Sequence, residues 1–510
     1  MWRGPGAAMR FVIGVDVGTT GARALIVDQA GNVRGQGVGP YAFETPRPGW
    51  AEQDPDAWWR GTGVAIRAAL GAAGASKRDV VAIGLSGQMH SLTLLDQNGG
   101  ALRAAILWND QRAAAECEEI TRRVGRERLI ALTRNPALPG FTAPKLLWTR
   151  NHEPHAYARI ASVLLPKDYV RYRLTDVHAT DVSDASGTGL FDVTARAWSA
   201  EVLAALDIPT EWMPRATESP VLGAAVSEVG AAETGLASGT PVAAGGGDQA
   251  AQAIGTGVVR PGPLCVTIGT SGVVFATLDA PVVDPGLRTH TFCHAVPGRW
   301  HMMGVMLSAG GALRWLRQAF ASGVDYGALD AEAEITPPGA EGLVFLPYLT
   351  GERTPYPDPN ARGAFVGLSL VHGRGHLVRA VMEGVAFGLR DSFEIIRAVG
   401  VEITQVRATG GGAASRLWNQ ILADVLGVEV VVMNITEGAA YGAALLASVG
   451  AGLFSTIEAA CEAGLCVASR AEPRPNVGAR YDALYETYRA LYPALRPSFA
   501  RLAGAPISGT

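Results

Sequence analysis

Residues 12–27 read VIGVDVGTTGARALIV. Two apolar runs flank Gly18-Thr19-Thr20-Gly21, a composition that suits a strand, a tight turn and a second strand. Residues 264–277, LCVTIGTSGVVFAT, repeat the plan, and alignment of the turns lays Gly269-Thr270-Ser271-Gly272 on the first. Two hairpins in opposite halves of the chain, each with glycines framing two hydroxyls, point to an internal duplication. Glycines let backbone N–H groups approach closely and the hydroxyls add donors, so each turn can cradle a phosphate without a charge of its own. Two ordinary hairpins are the competing reading. The copies differ where Asp16 precedes the first turn, because Thr267 takes the aligned place before the second. Strand alternation puts Asp16 on the face opposite Ile13, Val15 and Val17. A carboxylate beside a phosphate cradle makes sense with a cation between them, and Mg²⁺ is the usual one.

At 510 residues the chain is too long for one ordinary core and predicts two domains. Lys and Arg number 43 against 47 Asp and Glu, with no long run of either sign. That balance suggests neither a nucleic acid nor a membrane surface as partner. A hydrophobic content of 48% with 18% charged residues fits a globular enzyme. Five scattered cysteines argue for a reducing compartment, and the cytoplasm is expected. Met1–Ala8 carries no legible address, and either Met1 or Met9 can be the functional start. No stretch approaches the roughly 20 apolar residues that a membrane span needs.

Asp54-Pro55 is a good helix start, and the helix is expected to run to about Gly71. Val80–Ser86 reads as a strand ending in Gly87-Gln88-Met89-His90, and Ala104–Trp108 as another ending in Asn109-Asp110-Gln111-Arg112. Polar groups just past strand ends are where open α/β sheets bind ligands, although a lone His90 is as well explained as structural. Lysine occurs only at 77, 145 and 167, and no Gly-Lys pair exists, which excludes a Walker phosphate loop. The G-x-G-x-x-G of a dinucleotide site or a protein-kinase loop is also missing.

Residues 240–255, TPVAAGGGDQAAQAIG, carry the sharpest single feature. Three glycines clear space around Asp248, which reads either as a helix N-cap or as a general base for a bound hydroxyl. In His290-Thr291-Phe292-Cys293-His294, period-2 alternation sends Cys293 away from both histidines, so a strand here cannot focus all three on one ion. Helices are expected over 376–398 and 437–448, both with small-residue stripes that permit close crossing. Gly410-Gly411-Gly412 leads into a third helix and suits a flat base and ribose sliding past bare backbone.

With these pieces in place the chain resembles the FGGY family of carbohydrate kinases over about residues 10–500. FTAPKLLWTRNHE at 141–153 and GAFVGLSLVHGRGHLVRAVMEG at 363–384 match the two signature regions of that family. GQMH at 87–90, WNDQR at 108–112, LLPKDY at 164–169 and TGERTP at 350–355 are most similar to its xylulokinase branch. The resemblance implies an α/β fold of two ribonuclease-H-like domains, of the actin and hexokinase ATPase type, flanking a deep cleft. Its domains would span 10–255 and 256–510. It implies Asp248 as catalytic base and Asp16 as the carboxylate serving metal and phosphates. Met89 and His90 would contact the sugar, with Gln249 and Asp110 beside them. Thr19, Thr20, Gly269, Thr270, Ser271 and Gly272 would bind phosphate, and Gly411 and Gly412 the adenosine. The expected reaction is transfer from ATP, with Mg²⁺, to a ketose such as D-xylulose, by an enzyme with no nucleic-acid or membrane partner that can form a homodimer. Gln249 stands where many relatives of that branch carry Asn, which leaves room for another polyol. An actin-like scaffold without a sugar substrate is the alternative from a different class.

Overall fold

The computed structural model describes residues 9–504; Met1–Ala8 and residues 505–510 lie outside them. The first half builds a seven-stranded sheet from β1 (Phe11–Val17), β2 (Gly21–Asp28), β3 (Val33–Pro40), β4 (Val80–Gly87), β5 (Leu222–Ala225) and β6 (Pro241–Ala243), in the order β5-β6-β4-β1-β2-β3, with Gly246–Gly247 also paired to β4. The second half builds another from β7 (Gly262–Ile268), β8 (Gly272–Leu278), β9 (His290–Cys293), β10 (Trp300–Met306), β11 (Ile403–Thr409), β12 (Val430–Met433) and β13 (Val467–Ala471), in the order β9-β10-β8-β7-β11-β12-β13. In each sheet a hairpin is extended by a third antiparallel strand, and two parallel strands flank the first strand on its other side. Both halves therefore share the ribonuclease-H-like plan, and the duplication seen in the turns extends to whole sheets.

Alternation along β1 divides the chain's interior. Ile13, Val15 and Val17 bury against Trp58, Ala65, Ile66 and Ala69 of helix α1 (Pro55–Ala73), which Asp54 caps by accepting from Asp56 N at 3.0 Å. Val12, Gly14 and Asp16 face the other way. That face is covered by α6 (Gly438–Gly450), counted after α2 (Asp248–Gly255), α3 (Gly310–Phe320), α4 (Arg374–Ala398) and α5 (Arg416–Leu426). A Cβ on Gly14 would overlap the Ala440 carbonyl, and one on Gly442 the Ala251 carbonyl. The small-residue stripe of α6 thus lets a helix from the second half seat on the first sheet and cross α2, the helix that begins with Asp248. Since close-packed contacts of this kind leave no slack, the start of α2 is held against both halves.

The two turns are not identical. Register pairs Val17 with Ala22 but Ile268 with Gly272, so the first loop centres between Thr19 and Thr20 and the second on Thr270 alone. The second is one residue tighter because the start of α3 docks on it: Gly310 N donates to Gly269 O (2.8 Å), and Ala309 N and Gly311 N to Thr270 O (2.9 and 3.1 Å). The expected strand over 104–108 shrinks to Ala105–Ile106, paired with Glu52–Gln53. The chain turns after it, which lets Trp108 Nε1 donate to Thr19 Oγ1 at 3.1 Å.

Candidate active site

Strand register brings the two candidate carboxylates to one sheet edge. Asp16 pairs across β1 with Ser86 of β4, and Gly246 pairs with the same Ser86 from the other side, so Gly247-Asp248 leaves the sheet beside Asp16. Asp248 is the first residue of α2, with Gly247 in the cap position, so the N-cap reading gives way. Gly247 N donates instead to Ser183 Oγ at 3.1 Å; Ser183 donates to Asp181, which is ion-paired to Lys167 at 2.9 Å, all of them buried. This network fixes the turn that carries Asp248. In the sequence its members stand apart, Lys167 within LLPKDY and Asp181 and Ser183 further along, with nothing local to join them.

Burial pushes the Asp248 carboxyl up to about 7, and the neighbouring charge of Asp16 adds to the rise, while the backbone N–H and amide of Gln249 pull it partway back. Burial likewise raises Asp16 to about 6, against the opposing influence of Arg23 and Ser86. Asp16 Oδ1 is buried without a hydrogen-bond partner. Two neighbouring carboxyls with raised pKa values, one holding an orphaned oxygen, are a donor set that a hard divalent cation would satisfy.

Both turns send their carbonyls inward. Gly18 O accepts from Tyr41 Oη (2.8 Å), Thr19 O from Gln53 Nε2 (3.0 Å) and Thr20 O from Tyr41 N (3.2 Å). Gly269 O and Thr270 O are taken by the start of α3, and Ser271 O by Gly269 N. With their carbonyls engaged, Thr20 and Thr270 stand exposed at the two tips. Such turns offer N–H and hydroxyl donors, a chemistry suited to anions.

Met89 and His90 sit next to this edge. A Cβ on Gly247 would press on Met89 Cγ at 2.9 Å, so the glycine lets Met89 lie directly against the Asp248 turn. His90 has φ 68°, a strained value for a residue with a Cβ. Its carbonyl is held by Thr142 Oγ1 (3.0 Å) and by Lys145 Nζ (3.1 Å), the Thr and Lys of the FTAPK stretch. Burial pushes the imidazole down to about 3. A neutral ring 2.7 Å from Gly187 O must donate from Nδ1, which leaves Nε2 as an acceptor. Phe141 and Phe292 wall it, with ring centroids at 4.8 and 5.8 Å.

Two expected sugar contacts look different in place. Asp110 is fully buried, its Oδ2 accepting from Ala51 N (2.6 Å) and Arg112 Nη2 (2.7 Å) and its Oδ1 from Arg112 N (2.9 Å). Its acceptor capacity is spent on holding the turn after Ala105–Ile106 to the segment before α1, so it is a structural anchor. Gln249 has its amide close enough to the Asp248 carboxyl to lower its pKa.

On the second half, Gly269, Thr270, Gly411 and Gly412 come together around one cavity of about 560 Å³. Leu313, Arg314, Tyr326, Asp330, Ser415 and Trp418 also line it. Its volume and mixed lining suit a nucleoside. Sequence reasoning found the glycines but missed these side chains, because α3 and the segment at 326–330 approach the turn only through the folded packing.

Known proteins resemble this chain over both halves. Residues 11–255 match the N-terminal domain of the FGGY family of carbohydrate kinases, and residues 264–451 match its C-terminal domain. The xylulose kinase of Escherichia coli K12 is 43% identical over 96% of this chain and 100% of its own length. The xylulose kinase of Bacillus subtilis is 38% identical over 95% and 97%. A crystal structure of a xyloylose kinase from Brucella ovis superposes with a TM-score of 0.89 at 41% identity, over 96% of this chain and 100% of that one. Among the described residues no helix is long and apolar enough to cross a membrane. The chain belongs to the FGGY family of carbohydrate kinases and is an ATP-dependent carbohydrate phosphotransferase.

Proposed function

We propose that this enzyme phosphorylates D-xylulose at O5, with Asp248 as general base. The observation that carries the reading is the position of Asp248, which leaves the sheet edge between Asp16 and the Met89-His90 pocket with a carboxyl raised to about 7. A base with a pKa near the working pH combines a usable ionised fraction with a real affinity for the proton. The similarity to xylulose kinases supports the choice of sugar. Met89 offers an adaptable apolar wall to the carbon chain and His90 Nε2 an acceptor to a hydroxyl. The terminal hydroxyl then lies at Asp248, which takes its proton as the new O–P bond forms and the bond from the γ-phosphorus to ADP breaks.

Phosphoryl transfer asks for alignment and charge stabilisation more than for covalent help. Thr19 and Thr20 from one half and Gly269–Gly272 from the other supply donors to the polyphosphate, and the cavity at Gly411 and Gly412 takes the adenosine. Asp16 would hold Mg²⁺, which when bound neutralises charge on the phosphate oxygens. Closing the halves excludes water as a rival acceptor.

The test is a substrate panel of D-xylulose, D-ribulose, L-xylulose, L-fuculose, glycerol and gluconate. D-Xylulose is expected to have the highest kcat/KM, with the product carrying phosphate on C5 by NMR. A different substrate ahead by about tenfold or more, the least that one methylene discriminates, overturns the assignment.

A further inference from the structure

The sugar pocket has a second wall, contributed by the other half of the chain, whose polar groups are left without partners. Thr354 N donates to Val305 O (3.0 Å) and Thr354 Oγ1 to Arg288 O (2.7 Å), so the segment at 352–354 is tied to β10 and to the approach to β9. Glu352, buried beside Arg353, turns Oε1 to Leu307 N (2.9 Å) and to Arg353 N (2.7 Å). It therefore engages backbone and makes no ion pair with the Arg353 guanidinium. Among the described residues the Arg353 side chain enters no hydrogen bond or salt bridge, and burial pulls it below the usual guanidinium range with only Glu352 opposing. Its Nη2 lies 3.6 Å from where a Cβ on Gly140 would sit, and Gly140 O is bound by Lys145 at 2.6 Å. Its charge reaches His90, Lys145 and His290. Arg353 thus extends from the second half to the His90 wall of the first.

His290 comes to the same place from β9. It is buried, both ring nitrogens lack a partner, and its ring lies 5.8 Å from Phe141 and 5.9 Å from Phe292. Asn135 of the first half pins the strand, donating to Thr291 O at 2.8 Å and accepting from Thr291 N at 3.3 Å. A half-buried guanidinium with no carboxylate or carbonyl on it, beside a buried imidazole whose two ring nitrogens have no partner, calls for an explanation. A ligand that supplies oxygen acceptors provides one.

We propose that Arg353, with His290 beside it, is a specificity residue that binds the carbonyl end of the ketose, the end remote from the hydroxyl at Asp248. The inference rests on the proposed function and deepens it. The planar fork of a guanidinium presents two parallel N–H donors, and an α-hydroxyketone presents two neighbouring oxygens, the C2 carbonyl and the C1 hydroxyl. Reduction to the polyol replaces the flat carbonyl acceptor with a tetrahedral hydroxyl and breaks that match. Because Asp248 and His90 belong to the first half and Arg353 and His290 to the second, the sugar spans the cleft.

The experiment compares D-xylulose with its two reduction products, xylitol and D-arabinitol, in the wild type, Arg353→Gln and Arg353→Lys. Loss of one charge-assisted hydrogen-bonding group is expected to lower kcat/KM for D-xylulose by about 10–100-fold, mainly through KM. The polyols, which never used the fork, should change by no more than about threefold, so the ketose preference collapses. Arg353→Lys keeps the charge without the fork and should lose most of the same preference; it carries the comparison if the Gln variant fails to fold, as judged by melting temperature and ADP binding. Equal losses on ketose and polyols, or no loss at all, overturn the inference while leaving the function standing. An increase in gluconate turnover relative to D-xylulose in the wild type that disappears in Arg353→Gln overturns it in favour of a carboxylate at this position. A wild type inactive on D-xylulose overturns the proposed function itself.

Discussion

Asp248→Asn is expected to fold, to bind ATP and sugar, and to transfer phosphate about 10²–10⁴-fold more slowly, the usual cost of losing a general base. Asn matches the shape of Asp and keeps the contacts of the Gly247 turn with Ser183, so binding should survive while kcat falls. Stopped-flow or coupled-assay kcat with separately measured affinities checks it; turnover within a few fold of the parent refutes the assignment. The pH dependence follows from the same carboxyl. Its pKa is raised to about 7, so the proton is bound below that pH and the base is blocked. Activity should therefore rise with pH through the neutral range and level off above it, and the residual activity of Asp248→Asn should lack that rise. The Asp16 charge contributes to the raised Asp248 value, so the position of the limb depends on Asp16 as well.

Asp16→Asn removes a charge with little change in shape and is the second large effect. With the orphaned Oδ1 replaced or neutralised, the cation loses its protein carboxylate, and activity should fall by about 10²-fold or more with a flattened Mg²⁺ titration. D-Xylulose affinity measured without nucleotide should stay near that of the parent. The electrostatics add an independent readout: because the Asp16 charge helps raise Asp248, the Asp248 carboxyl should titrate lower in Asp16→Asn when followed by ¹³C NMR. An unchanged Mg²⁺ titration in the variant contradicts the metal role.

The parts legible in the sequence were those whose chemistry is local. Gly18-Thr19-Thr20-Gly21 and its copy announced hairpins because glycine and flanking apolar runs act within a few residues. Asp248 stood out because three glycines precede it. The one-residue difference between the turns was hidden, since it depends on α3 arriving from 40 residues downstream onto Gly269 and Thr270. Asp110 was misread for a related reason. A charged residue after a strand looks like an edge ligand until Arg112 and Ala51 N are seen to occupy it. The glycines of α6 indicated a close crossing, but nothing local told that its partner would be the sheet of the other half. Arg353 drew attention only as part of a family motif. Its meaning depends on Glu352 turning to Leu307, which no spacing along the chain reveals.

The central claim is that one sugar and one nucleotide meet across the two halves, with the terminal hydroxyl at Asp248. A crystal structure of the enzyme with D-xylulose and a non-hydrolysable ATP analogue tests it most directly. The account predicts O5 within about 3 Å of an Asp248 carboxylate oxygen, the γ-phosphate on the line beyond it, and donors from both the Thr19-Thr20 and Thr270-Ser271 turns on the polyphosphate. A sugar with its carbonyl end at Asp248, or a polyphosphate touching only one of the two turns, would contradict it.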